Sequence, residues 1–294
     1  MSHFVVTTES SCDLPLAYCQ AHDIRILYMR YEMDGVGHVE TMREEDLHTF
    51  YETMAKGAKT ATSAANMDDY YRFWKPMAEL GQAIVHIALG TGVSCSYQNA
   101  MLAKEQLLAE YPALDLRIVD SLGASLVYGI QAIKAAELRD AGMSAAECEE
   151  FLLEYRHHIS PYYTTSNLEY LYRGGRVSRA GMVIAHTLNI WPILNLNDKG
   201  QLKVVDKCRG REKTYRKIHS HIAEYCENPT EQTLYIAHAH APEEAKAFAE
   251  GIRAEFGFKD IFYSNIGTAI GAHTGPGLVA AFFYGKSRKA NEHS

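Results

Sequence analysis

Cysteine is sparse in this sequence: six residues at 12, 19, 95, 148, 208 and 226, with no CxxC and no zinc-type spacing. That pattern excludes a disulfide framework and offers no thiolate metal site, so reduced thiols are expected. Long hydrophobic runs are missing as well. No window approaches the roughly 18 uninterrupted apolar residues of a membrane span, and the N-terminal MSHFVVTTESS has neither a basic stretch nor an apolar core of signal-peptide length. The expected location is the cytoplasm. Nor is there an excess of positive charge: 29 Lys and Arg against 36 Asp and Glu leave a net charge of −7. Gripping nucleic-acid phosphates is therefore not the main task, although a local basic patch remains open. The motifs GxSxG, HExxH, Cys-His-Asn and GxxxxGK[ST] are absent too, which removes the common hydrolase, zinc-protease and nucleotide P-loop readings.

What is present fits a globular chain of one large domain or two ordinary ones: 294 residues, 47% hydrophobic and 22% charged. Short apolar runs at Phe4–Thr7, Ile24–Tyr28, Ala83–Ala88 and Leu116–Val119 alternate with helical patterns at Glu44–Ala55, Tyr97–Tyr111, Leu126–Asp140 and Ser144–His158. The alternation predicts an α/β unit with a mostly parallel sheet. From about Pro161 the texture changes. A hairpin is expected from Trp191–Asn195 and Gln201–Asp206 around Asn197-Asp198-Lys199-Gly200. Helices at Glu212–Cys226 and Pro242–Phe256 with strands at Thr233–Ala237 and Asp260–Ser264 complete a second α/β unit. The expected organisation is residues 1–160 followed by 161–290, sharing a broad interface.

Four stretches could carry chemistry. Thr8–Pro15 follows the first strand, where open parallel sheets form ligand crevices; alternatively Ser11 or Asp13 caps a helix starting near Pro15. Thr62-Ser63 and the turn Gly90–Ser96 present hydroxyls, and the turn leads into a helix N-terminus suited to a carboxylate or phosphate. A serine cap is the competing account of that turn. Arg173, Arg176 and Arg179, then Lys207, Arg209, Arg211 and Lys213, concentrate positive charge in an acidic chain. They are either solvated surface or the contact for an anionic ligand or partner. Finally, Ile270–Gly277 sets His273 among glycines that permit positive φ and close approach of a ligand. The pairs His157-His158 and His238/His240 have only weak metal spacing. Hydroxyls, one histidine and arginines beside ample apolar surface are the makings of a site for an amphipathic anion.

Taken in order, Thr8–Pro15, Thr62-Ser63, Ser94–Ala100, Val119–Ser121 with Ala124-Ser125, Asn167–Ser178, the Pro192–Arg211 hairpin and Ile270–Gly277 resemble the DegV family of bacterial fatty-acid-binding proteins. The resemblance runs from about residue 4 to 285. It implies two α/β domains, a mostly parallel N-terminal one packed on a smaller mixed-sheet C-terminal one, with a fatty acid of the palmitate or oleate class in a buried tunnel near their junction. It implies no further cofactor, no metal and no catalytic residue. A separate fatty acid kinase would phosphorylate the bound carboxylate to an acyl phosphate.

Carried over by position, the carboxylate site is Thr62, Ser94 and His273 with Arg176, supported by Ser63, Ser96, Ser10 and Thr274. Arg209 and Arg211 resemble a surface facing the kinase or the phosphate. The implied protein is a monomer or weak dimer. An acyl-ester or acyl-phosphate hydrolase using Ser94 and His273 is the alternative. The sequence departs from the family at Glu9, where aspartate is usual, at Ala64-Ala65-Asn66, and at Cys95, where glycine is usual. If the Cys95 position needs positive φ, the backbone there is expected to be strained.

Overall fold

The computed structural model describes residues 4–177 and 189–289. Ser178 and Arg179, which belong to motifs named above, lie outside the described residues. The chain opens with β1 (Val5–Glu9), a 3-10 turn at Ser10–Cys12, α1 (Leu16–Ala21), β2 (Ile24–Leu27), β3 (Arg30–Met33), β4 (Val36–Val39), α2 (Glu44–Ala55), β5 (Thr60–Ser63) and α3 (Met67–Glu79). It continues with β6 (Ile84–Ala88), α4 (Ser96–Glu110), β7 (Leu116–Asp120), α5 (Leu126–Asp140) and α6 (Ala145–Tyr155). Strands in the order β2-β1-β6-β7 form a four-stranded sheet, every pairing of which is parallel. β1 and β6 are buried at every position, as a strand covered on both faces must be. The helix α5 packs within this core, and its Ala-rich sequence lets it approach closely.

Two helices start on side-chain caps that their sequences contain. Asn66 and Asp69 close a capping box on α3, and Ser144 and Glu147 another on α6. The first helix does not. α1 begins after Pro15 without a side-chain cap, so neither Ser11 nor Asp13 caps it. The Ser11 hydroxyl is shared with Tyr128 Oη, while Asp13 adopts φ 56° and its Oδ1 accepts from Gly267 N at 2.8 Å. A three-stranded antiparallel sheet of order β4-β3-β5 was not expected from the sequence. It places Thr62 opposite Tyr31.

The second unit begins at β8 (Ile159–Thr164) and adds α7 (Glu169–Arg173), β9 (Ile190–Leu196), β10 (Leu202–Arg209), α8 (Arg211–Tyr225), β11 (Thr233–His238), α9 (Pro242–Phe256), β12 (Asp260–Asn265), α10 (Thr268–Thr274) and β13 (Val279–Tyr284). Its sheet is six-stranded and mixed, in the order β10-β9-β8-β13-β11-β12. Only β11 and β12 run parallel; the other pairings are antiparallel. The Ile270–Gly277 stretch, expected as a glycine-rich loop, is half helix. Among the described residues no helix is long and apolar enough to cross a membrane.

The two units meet along a broad front. The tip of the β9–β10 hairpin rests on the turn after β6: Gly200 has φ +71°, and a Cβ added to Gly92 would fall 2.3 Å from the Gly200 carbonyl carbon. Near the chain's end, Arg288 is buried, and its guanidinium donates to Leu122 O at 3.3 Å, Asn197 O at 3.2 Å and Arg156 O at 2.8 Å. One side chain thereby fastens the loop after β7, the hairpin tip and the end of α6. Gly92→Ala should lift the hairpin tip away. The expected result is a loss of about 1–3 kcal/mol in urea unfolding with faster amide exchange confined first to residues 190–209. Unchanged exchange in the hairpin would show that the contact does not hold the units together.

Candidate functional site

Between the units lies a cavity of about 330 Å³. Its walls are largely aliphatic: Met29, Leu89, Leu171, Leu194, Leu196 and Leu278 come from both units. Thr62, Ser63, Ser94, Arg176, His273 and Thr274 also line it. The sequence elements that bring these polar groups together are β5, the turn after β6, the segment after α7, and α10.

The shortest contact among them joins Thr62 Oγ1 to His273 Nε2 at 2.6 Å. If Nε2 carries the ring proton, the Thr62 hydroxyl keeps its own proton for an incoming oxygen. Burial, and secondarily the charge of Arg176, push His273 down to about 4. Its imidazole is therefore neutral, and among the described residues its Nδ1 has no partner. Gly174 sits against that atom, and a Cβ there would approach Nδ1 to 2.2 Å. No side chain larger than hydrogen fits between α7 and His273.

Ser94 Oγ lies 2.9 Å from Ser96 Oγ and accepts from Ser96 N at 3.1 Å. The N-cap residue of α4, Cys95, makes no side-chain cap; the Ser94 hydroxyl instead accepts from the first N–H of the helix. Cys95 has φ −93°, so the expected strain from a non-glycine residue is not present; its side chain is exposed at the cavity's edge. Arg176 donates through Nε and Nη2 to Val93 O at 3.2 and 3.1 Å, and through Nη1 to Gly174 O. Its guanidinium thus bridges the turn that carries Ser94 and the segment beside His273. Burial lowers its pKa, but an arginine remains charged at neutral pH.

The structure therefore brings together Thr62, Ser63, Ser94, Arg176, His273 and Thr274. It does not bring Ser10, Ser96, Arg209 or Arg211 to the cavity wall. Ser10 donates to the Glu40 carboxylate and accepts from Met29 N at 2.9 Å. Ser96 is buried beneath Ser94. Arg209 and Arg211 are exposed at the end of β10 and the start of α8, with Arg211 3.5 Å from Glu244. Ser11 lines the cavity in place of Ser10. Ser125, which falls in the Ala124-Ser125 motif without a role assigned to it there, and Tyr163, which no motif marks, line the cavity as well. Among the described residues no group of three or more His, Cys, Asp or Glu could hold a metal ion, and no hydrogen bond joins His273 to Ser94.

The mouth and the deep end differ. Ser63 and Cys95 are exposed, whereas Ser11, Ser125 and Tyr163 are buried. The fold and site define a two-domain α/β protein built around an internal apolar cavity with a polar mouth. The chain belongs to the DegV family, described as uncharacterised, whose profile matches residues 3–286. A DegV domain-containing protein of Clostridium perfringens is 32% identical over 290 residues, covering 98% of this chain and 100% of the relative. Among solved structures, a DegV family protein of Thermus thermophilus described for its fatty acid binding superposes with a TM-score of 0.86 at 23% identity, covering 97% of this chain and 100% of that one. The Fatty Acid Kinase B3 protein of Streptococcus pneumoniae, loaded with linoleic acid, gives a TM-score of 0.82 at 20% identity, with 97% and 100% coverage. These two establish likeness of fold.

The state of His273 is measurable. Its folded pKa lies below the ordinary value of about 6.5, so the unfolded chain binds the proton more readily. The stability this contributes is present above about pH 6.5 and is lost as pH falls toward about 4. Histidine NMR of unliganded protein should show His273 neutral down to about pH 4, and His273→Gln should flatten part of the acid limb of the stability curve. Titration near the ordinary value would mean that the imidazole is not desolvated.

Proposed function

We propose that this protein is a carrier that holds one long-chain fatty acid in the cavity, carboxylate at the mouth, and presents it to a separate kinase for conversion to an acyl phosphate. The observation that carries this reading is the cavity's polarity: aliphatic walls from both units, with neutral and cationic donors gathered at the side that reaches the surface. A buried methylene is worth about 0.8 kcal/mol, so the chain supplies most of the affinity while the donors fix which end faces out. Thr62 and Ser94 each offer an O–H to the carboxylate, and His273 acts through Thr62, donating Nε2–H to its hydroxyl oxygen so that the Thr62 proton points to the ligand. Arg176, held between the turn that carries Ser94 and the segment beside His273, supplies the positive charge, and Ser63 and Thr274 add hydroxyls to the same cavity wall.

Proteins of the same fold support the ligand class: a DegV family protein of Eubacterium eligens is loaded with heptadecanoic acid. The kinase partnership rests on the likeness to the Streptococcus pneumoniae kinase protein. In this reading Arg209 and Arg211, exposed and away from the cavity, form part of the surface that meets the kinase. The units divide near residue 160, and the protein works in the cytoplasm as a monomer or weak dimer. The hydrolase alternative gains nothing from the geometry, since the base it requires is hydrogen-bonded to Thr62 rather than to Ser94.

Protein purified from a bacterial host should release about one long-chain fatty acid per chain on extraction, as quantified by mass spectrometry. Thr62→Ala with Ser94→Ala should lower retention and remove most acyl-phosphate formation when a fatty acid kinase and ATP are supplied. An empty protein that takes up neither palmitate nor oleate would overturn the reading. A double variant that behaves as wild type would overturn the carboxylate assignment alone.

A further inference from the structure

The deep end of the cavity is not a plain hydrocarbon surface. Ser125 and Tyr163 both line it and are 2% and 8% exposed; the Ser125 hydroxyl has only the Asp13 carboxyl beside it, and among the described residues Tyr163 Oη has no hydrogen-bond partner. The carboxyl of buried Asp13 stands behind both hydroxyls, in contact with Ser125, and does not itself line the cavity. These groups come from three separate places: the end of the 3-10 turn after β1, the residue before α5, and β8. Ser125 is held at φ 56°, ψ −139°, near a region that glycine alone enters easily. Strain in a buried serine whose hydroxyl meets a cavity is the pattern of a ligand contact rather than of a packing residue. Aliphatic residues would close a pocket for a plain methyl terminus at lower desolvation cost.

We propose that this end receives an oxygen atom on the ligand's chain, so that the preferred ligand is a long-chain acid carrying a hydroxyl group away from its carboxylate. The inference rests on the fatty-acid reading above and narrows it. A hydroxyl both donates and accepts, so it can accept from Tyr163 and donate toward Ser125, whose own proton is directed to the Asp13 carboxyl. A second carboxylate does not suit the position. Asp13 is buried within reach of Glu40, and burial holds its carboxyl toward the protonated form. Arg288, the cation facing Tyr163, does not line the cavity, and its Nη groups are committed to backbone carbonyls.

The test is competition on the full chain stripped of lipid. Native mass spectrometry would follow stearate against mid-chain hydroxystearates, and palmitate against ω-hydroxypalmitate, each pair at equal concentration. At least one hydroxylated acid should be favoured by about tenfold, the effect of one well-formed hydrogen bond to otherwise unpaired buried groups. Tyr163→Phe and Ser125→Gly should each abolish the preference, read as the ratio of hydroxylated to plain acid bound and not as the affinity for the plain acid. Ser125→Gly suits the backbone conformation, so a folding failure is not expected, and a thermal melt checks it. Plain acids bound as well as or better than every hydroxylated isomer by the wild type would overturn this inference while the fatty-acid reading stands. Failure of every acid to bind would remove both.

Discussion

Two buried carboxylates at the start of α10 hold the site in place. Asp13 Oδ1 takes the Gly267 N–H, and Glu40 Oε1 takes the Thr268 hydroxyl at 3.0 Å and the Ala269 N–H at 3.3 Å. The other oxygen of Glu40 takes the Ser10 hydroxyl. Helix N-termini leave N–H groups unpaired and carry partial positive charge, and here the acceptors come from the other unit. A Cβ on Gly267 would meet Glu40 Oε1 at 2.3 Å, so the fit requires glycine at that position. The consequence at the far end of the short helix is positional: His273 is delivered against Thr62, which stands on a strand of the first unit. Since both acids are buried, removing either partner strands a polar group out of water, a large cost for a contact of this kind.

A comparable arrangement steadies the Ser94 turn. Glu9 is fully buried at the end of β1 and accepts from Tyr70 Oη at 2.5 Å and from Leu89 N at 3.1 Å, with His86 Nε2 at 3.3 Å. His86 in turn meets Thr7 at 3.0 Å. The carboxylate therefore fixes the residue just before Gly90–Ser96, and the position where the family favours aspartate has a packed, satisfied glutamate. Rigid supports behind both polar groups mean that little ordering is left to be done when an anion arrives.

Legibility in the sequence followed the physics of each element. The helices Glu44–Ala55, Leu126–Asp140 and Pro242–Phe256 were read with their observed limits because their apolar residues recur at helical spacing and their ends have clear breaks. Thr60–Ser63 was not read as a strand. Its four residues alternate only threonine, alanine and serine, and its pairing with Arg30–Met33 is a tertiary choice. The glycine-rich stretch around His273 looked like a loop, since nothing local reveals that carboxylates from residues 13 and 40 cap it as a helix. Motif order marks Thr62, Ser94, Arg176 and His273; Ser125 sits in a motif that assigns it no role and Tyr163 in none, and they stand out only by their buried hydroxyls and, for Ser125, by a positive φ. Ser10 was separable from Ser11 only once the pleat of β1 and the position of Glu40 were known.

The last strand, β13, does not sit at the edge of its sheet but between β8 and β11, and Leu278 just before it lines the cavity. During synthesis the first unit can collapse on its own parallel sheet while the second still lacks its central strand. Until Val279–Tyr284 leaves the ribosome, β8 and β11 have no partner between them, and the wall that completes the cavity does not exist. Pairings of such sequence separation form late and slowly. A chain truncated before this strand would therefore expose two unpaired strand edges and an open apolar trough, which makes Val279–Tyr284 decisive for whether the nascent protein folds or aggregates.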